Sequence, residues 1–282
     1  MPSEFGPAEL AERVWLRAPS LWPAAMVAVS SADGGVGRST LVAALGGVLA
    51  LAVPGPVIAI DMHPVPWGGL DDRIGRTSAG TVWDTVRDLA RLTSRREVER
   101  WTQHGPAGLL AIVGETEGQG RRPPRHDEAA AVVEMVRRLY PLTLCDVMPA
   151  LITGVWRTLS VAHAPVLVAR ATTDSINHTL RLLAHLRAAG YSPVTDRVVL
   201  AVVATSPDVG REVRAVLQQA AGVAASVVSV PFDAQLARPE PVDPRRLRKA
   251  TRTALVQLAD AVTERCADPG RTPPIRVRGD GA

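Results

Sequence analysis

Val27-Ala-Val-Ser-Ser-Ala-Asp-Gly-Gly-Val-Gly-Arg-Ser-Thr40 is the stretch that decides the fold of this chain. The apolar run Met26–Val29 predicts a buried strand, Ser30–Arg38 a glycine-rich loop, and the residues from Ser39 a helix. Gly34, Gly35 and Gly37 allow successive backbone N–H groups to turn toward one anion, and the helix that follows adds the positive end of its dipole. The stretch therefore reads as a cradle for nucleotide phosphates, with Gly34, Gly35, Val36, Gly37, Arg38, Ser39 and Thr40 as contacting residues. Ser39 stands where a hydroxyl would ligate Mg²⁺. The bland alternative is a tight turn between a strand and a helix.

The rest of the chain favours the cradle. Short runs rich in valine and leucine recur at Val57–Ile60, Leu109–Val113, Leu142–Cys145, Pro165–Ala169, Val198–Ala204 and Ser226–Val230. Helical stretches are expected between them at Ser39–Ala52, Thr81–Leu89, Glu128–Leu139, Gly154–Ala162, Ser175–Ala189, Val209–Ala220 and Pro244–Cys266. Strands without polar alternation are covered on both faces, so the expected fold class is α/β, a mostly parallel sheet with helices on both sides in three layers. Asp174 is a candidate helix cap, Gly190 a candidate terminator, and Pro244 suits a first turn. Residues 1–22 read as an N-terminal extension, 23–266 as the domain, and 267–282, rich in Pro, Gly and Arg, as a disordered tail.

At 282 residues, with 46% hydrophobic and 21% charged residues, the chain can bury a large core and is not of disordered composition. The net charge is +4 and Lys249 is the single lysine. Two cysteines, Cys145 and Cys266, are too few for a disulfide framework and fit a reducing cytoplasm. Met1–Pro23 has no long apolar core, so no secretory leader is expected. The uncharged run Leu41–Ile60 is long enough to span a bilayer, yet Gly46-Gly47 and Pro54-Gly55-Pro56 divide it into a helix and a strand. Arg121-Arg122-Pro123-Pro124-Arg125 lies in a long polar loop, read as solvated surface with a partner contact as the alternative. Arg245, Arg246, Arg248, Lys249 and Arg252 cluster at one helix start; with so modest a net charge they read as a solvated face ahead of a DNA-binding surface.

Asp33-Gly34-Gly35-Val36-Gly37-Arg38-Ser39-Thr40 resembles K-G-G-x-G-K-[ST]-T, the deviant Walker A motif of the MinD/ParA family of P-loop ATPases. Both departures are lysines, replaced here by Asp33 and Arg38. Asp61-Met62-His63-Pro64 resembles the family's Asp-x-Asp-Pro after the second strand, with Asp61 in the first position and His63 in the second, where the family helps place the attacking water. Leu142-Thr-Leu-Cys-Asp146 resembles its Walker B strand, although Val147-Met148-Pro149-Ala150 lacks the family's switch glycine. Pro231-Phe232-Asp233 resembles the loop that packs near the base. Ile60-Asp61-x-x-Pro64, Gly68-x-Leu70 and Thr81-Val82-Trp83-Asp84 are similar to MinD-like proteins encoded with type VII secretion systems.

The resemblance implies Mg-ATP as cofactor, with Ser39, Asp61 and Asp146 around the metal, His63 and Asp61 as catalytic candidates, and Pro231, Phe232 and Asp233 beside the nucleotide. It implies a dimer, either with itself or with a related ATPase, and a protein partner in a secretion or positioning system. In the family the first lysine of the motif reaches into the partner's active site, a role that Asp33 inverts in sign. Arginine keeps the second lysine's charge but is bulkier, flat and forked. Slow or absent hydrolysis is therefore the expectation. The alternatives are a competent ATPase that uses Arg38 in place of lysine, and a scaffold that binds no nucleotide. The C-terminal end carries two prolines at Pro273-Pro274 and forms no amphipathic membrane anchor.

Overall fold

One eight-stranded sheet organises the computed structural model, which describes residues 14, 24–62, 69–115, 121–122, 124–149 and 153–267. The expected extension over 1–22 and tail over 267–282 fall outside these residues, apart from Val14 and Ala267. The strands are β1 (Ala25–Ser31), β2 (Val57–Asp61), β3 (Gln103–His104), β4 (Leu110–Ile112), β5 (Leu142–Asp146), β6 (Ala164–Arg170), β7 (Val199–Val203) and β8 (Ser226–Val230). Their order in the sheet is β3-β4-β2-β5-β1-β6-β7-β8, and every pairing is parallel except β3 with β4.

Arg38–Ala52 forms α1, Gly69–Ile74 α2, Val82–Arg87 α3, Arg95–Glu99 α4, His126–Val136 α5 and Thr153–Val161 α6. Thr173–Ala188 forms α7, Ser192–Thr195 α8, Val213–Ala221 α9, Ala234–Ala237 α10 and Lys249–Ala267 α11. Alternate strand residues serve opposite layers. Val27, Val29, Leu144 and Val166 pack with Leu45 and Leu49 of α1 and Leu255 and Leu258 of α11. On the other face Met26, Ile58, Ile60 and Cys145 meet Val132, Val136, Val155 and Leu159, while Leu167 and Leu200 meet Ile176 and Leu183. A sheet buried on both faces explains why its strands carry no polar alternation. The expected three-layer α/β/α class is the one observed.

Some boundaries differ from expectation for local reasons. Thr172, not Asp174, caps α7: its side chain accepts from the Ser175 amide at 3.4 Å, and Asp174 lies in the first turn. The expected helix Pro244–Cys266 is broken, because Pro244–Arg246 forms a single 3₁₀ turn before α11. The Arg248 amide between them donates to the Asp233 carboxylate at 2.8 Å. The element Thr81-Val-Trp-Asp84 is a capping box: Thr81 Oγ1 accepts from the Asp84 amide at 3.2 Å, and the Asp84 carboxylate accepts from the Thr81 amide at 3.1 Å. Among the described residues no helix is long and apolar enough to cross a membrane.

His163, at the head of β6, accepts a hydrogen bond from the Met26 amide at Nδ1, 3.1 Å away. Burial, with Arg137 and Arg197 adding to it, pushes the pKa of this imidazole down to about 4. The unfolded chain binds the proton near pH 6.5, so this contribution to stability is complete above that pH and lost as pH falls toward 4. It amounts to about 3 kcal/mol at most. Urea melts at pH 7 and pH 4.5 should show that loss, and His163→Gln should flatten it. An unchanged pH dependence in the variant would exclude His163 as its source.

Candidate functional site

The carboxyl ends of the parallel strands converge where the glycine loop joins β1 to α1. In the loop, Gly35 and Gly37 have φ of 65° and 86°, a left-handed backbone that glycine adopts without strain. Gly37 is the N-cap of α1 and offers no side chain to its first turn. Among the described residues the amides from Gly34 to Thr40 make no backbone hydrogen bond. A run of unspent N–H groups at a helix N-terminus is an anion cradle, and it is solvent-open: a Cβ built on Gly34 or Gly35 meets nothing within 4 Å. Val36 turns inward and is buried, anchoring the loop, while Ser39 and Thr40 remain half-exposed. Ser39 stands against the start of α2, where a Cβ on Gly69 would lie 3.7 Å from its hydroxyl oxygen.

Beside the cradle is a cavity of about 230 Å³, lined by Gly35, Gly37, Thr40 and Leu41 together with Val203, Ala204, Thr205, Val230, Phe232, Asp233 and Leu236. It is smaller than the roughly 300–1,000 Å³ of a drug-sized site, so it has room for part of a nucleotide while phosphates rest on the open loop. Of the three expected residues in this region, Phe232 and Asp233 line it and Pro231 does not. The Asp233 carboxylate is occupied within the chain, accepting from the Gln235 amide at 3.0 Å and the Arg248 amide at 2.8 Å. It shapes the wall. Arg73 of α2, which the sequence reading missed, also lines the cavity and donates to the carbonyls of Leu236 and Arg238. Burial lowers its pKa and the Asp72 charge raises it.

The two residues in place of lysines both find acidic or polar partners far along the chain. Arg38 donates through Nε to Oδ1 of Asp146 at the end of β5; the side chains are 14% and 1% exposed. Asp33 accepts from Ser175 Oγ at 2.7 Å and pairs with His178 Nδ1 at 2.9 Å, which ties the loop to the first turns of α7. Asp61 is buried at the end of β2, in register with Asp146. His63 lies outside the described residues, so of the two catalytic candidates only Asp61 is placed. The segment after β5 is fastened to β1: the Val147 amide donates to Val29 O at 2.8 Å, and Ser30 Oγ donates to Met148 O at 2.8 Å.

The first arginine cluster is engaged within the chain, the second only in part. Arg121 bridges Asp84 and Glu115, Arg122 pairs with Glu128, and Arg125 with Asp127. Arg245 pairs with Asp243, and Arg252 donates to the carbonyls of Arg245 and Leu247. Arg246, Arg248 and Lys249 are exposed, and among the described residues their side chains have no hydrogen-bond or ion-pair partner.

No protein-family model matches the chain. The ESX-1 secretion-associated protein EspI of Mycobacterium tuberculosis is 27% identical over 177 residues, covering 62% of this chain and 26% of EspI. The match therefore spans about a quarter of that relative's length. Among solved structures, a ParA family ATPase from Chlorobium tepidum aligns with a TM-score of 0.66 at 18% identity, over 83% of this chain and 97% of that one. The MinC:MinD cell division complex of Aquifex aeolicus gives 0.59 at 17% identity, over 83% and 94%. Cobyrinic acid a,c-diamide synthase from Mycobacterium smegmatis, solved with a bound ATP analog and magnesium, gives 0.54 at 18% identity, over 90% and 99%.

A metal held in the expected way would sit between Ser39 and Asp146, with Asp61 beside it. In this structure the Asp146 carboxylate is neutralised by Arg38. A divalent ion about 4 Å from a guanidinium is repelled by roughly 8 kcal/mol at an effective dielectric near 20. The side chains as arranged do not fit Mg²⁺ on Asp146.

Proposed function

We propose that this chain, which has the fold of the ParA/MinD P-loop ATPases, is a regulatory nucleotide-binding protein. It takes up ATP, hydrolyses it slowly or not at all, and acts through protein partners in a secretion-associated system. The observation that carries the reading is the run of unspent amides from Gly34 to Thr40, set beside a cavity sized for part of a nucleotide. A scaffold that had lost its ligand would have no use for such a row of unpaired donors. EspI supports the secretion setting, and the MinC:MinD complex supports action through a partner protein.

Slow turnover follows from the charges. Losing one preorganised electrostatic contact typically costs roughly 10²–10³ in rate. Here Asp33 has replaced a cation and is bound to α7, Arg38 is committed to Asp146, and the segment after β5 is pinned to β1. A dimer with a second copy or a related ATPase remains the proposed assembly. In it Asp33 contributes no cation across the interface, so a related partner with its own lysine would complete the site better than a second copy.

Thermal melts with and without ATP test the reading. Ligand at about a hundred times its Kd adds about 2.7 kcal/mol, a clear rise in melting temperature. No rise at millimolar ATP would favour the scaffold.

A further inference from the structure

Arg38 is expected to serve the cradle as lysine does in a P-loop, yet its contact is with the carboxylate that should hold the metal. Arginine is charged at every physiological pH, so its contact with Asp146 is a full ion pair, and its guanidinium carries five N–H donors in a flat fork. Only Nε is spent on Asp146, and among the described residues the two Nη groups have no hydrogen-bond partner. No lysine precedes Lys249 to compete for the position.

We propose that Arg38 stands in for the metal: the site binds the nucleotide polyphosphate as its metal-free anion, with the guanidinium braced on Asp146. The inference rests on the nucleotide-binding reading above and specifies its ionic requirement. The guanidinium supplies what a divalent ion supplies at such a site, positive charge held against the carboxyl end of β5, and adds directed N–H donors for phosphate oxygens. Arg73, lining the adjoining cavity, adds a second fixed positive charge near the cradle. The backbone amides of the loop need no metal to bind an anion. With that cation in place the bound nucleotide carries no magnesium, so magnesium, which complexes free ATP, competes with binding.

The test is calorimetric titration of the full chain with ATP, once in EDTA and once in excess Mg²⁺, at one ionic strength. Binding at least about threefold tighter in EDTA than in excess Mg²⁺ is the expected result, because magnesium withdraws the free anion by mass action. Binding in EDTA that is equal to or weaker than in Mg²⁺ would overturn the metal-free site while leaving nucleotide binding intact. Absence of heat in both buffers would overturn nucleotide binding and this inference with it. Arg38→Ala extends the test, because the freed Asp146 then becomes available to a metal. Its binding should drop at least tenfold in EDTA and recover in part with Mg²⁺, whereas equal loss in both buffers would contradict the exchange of roles. The wild-type comparison decides the matter even where the variant does not fold.

Discussion

Arg38→Ala should destabilise the free protein by about 3 kcal/mol, before any ligand is added. Asp146 is 1% exposed and its carboxylate is held by the Arg38 guanidinium. Removing one partner of a buried pair leaves the other charge without compensation, and that penalty exceeds the net worth of the intact pair. Partial exposure of Arg38 holds the loss at the lower end of the usual range. Adding Asp146→Asn removes the stranded charge, so the double variant should regain more than half of the loss. Chemical denaturation of the wild type, both single variants and the double variant closes the cycle. A cost below about 0.5 kcal/mol for Arg38→Ala would mean that the pair is not made in the free protein. An arginine waiting for phosphates would behave in that way.

Gly37→Val should abolish nucleotide binding, by about a hundredfold or more, while leaving a folded protein. Gly37 has a φ of 86° and forms the joint between loop and helix. An L-residue there pays roughly 1–2 kcal/mol of backbone strain, more for a branched side chain, and relaxes by turning the loop amides away from their common focus. Its Cβ has ordinary contact with Val203 Cγ1 at 3.7 Å, but the methyl groups beyond it enter the cavity that Gly37 and Val203 both line. Gly190→Ala supplies the control. Gly190 has a similar φ of 87° with open space around the added carbon, and it lies at the far end of α7. That variant should lose comparable stability and bind ATP normally. Normal binding by Gly37→Val would show that the glycine loop is a turn and not a cradle.

Much of the fold was legible because the sheet is covered on both faces. Seven of the strands announce themselves as runs dominated by apolar residues, and each is found within a residue or two of its expected place. The strand that was missed, Gln103–His104, has no such run: it is an edge pair, and the Gln103 side chain is spent on the Thr77 and Ser78 amides. The short helices Gly69–Ile74, Arg95–Glu99, Ser192–Thr195 and Ala234–Ala237 are too brief to show a helical period. The break before α11 was invisible for another reason, since the residue that captures the Arg248 amide is Asp233, on a different segment.

The site divides along the same line. Glycines with positive φ follow from local chain geometry, so the cradle could be read from residues 33–40 alone. Side-chain pairing could not. Arg38 meets Asp146 across 108 residues of sequence, and Asp33 meets Ser175 across 142. Nothing in the spacing of the motif tells an arginine facing phosphates from one facing a carboxylate. Arg73 went unnoticed because it sits on a helix without a signal and reaches the cavity only when α2 packs beside α10.

The most direct measurement is of the nucleotide itself. The protein is incubated with labelled ATP, separated from free nucleotide, held for an hour and quenched, and the bound label is identified by chromatography. The account predicts stoichiometric label that is still ATP. Label recovered as ADP and phosphate would mean a working ATPase, and no label retained even at millimolar ATP would mean that the cradle is empty by design.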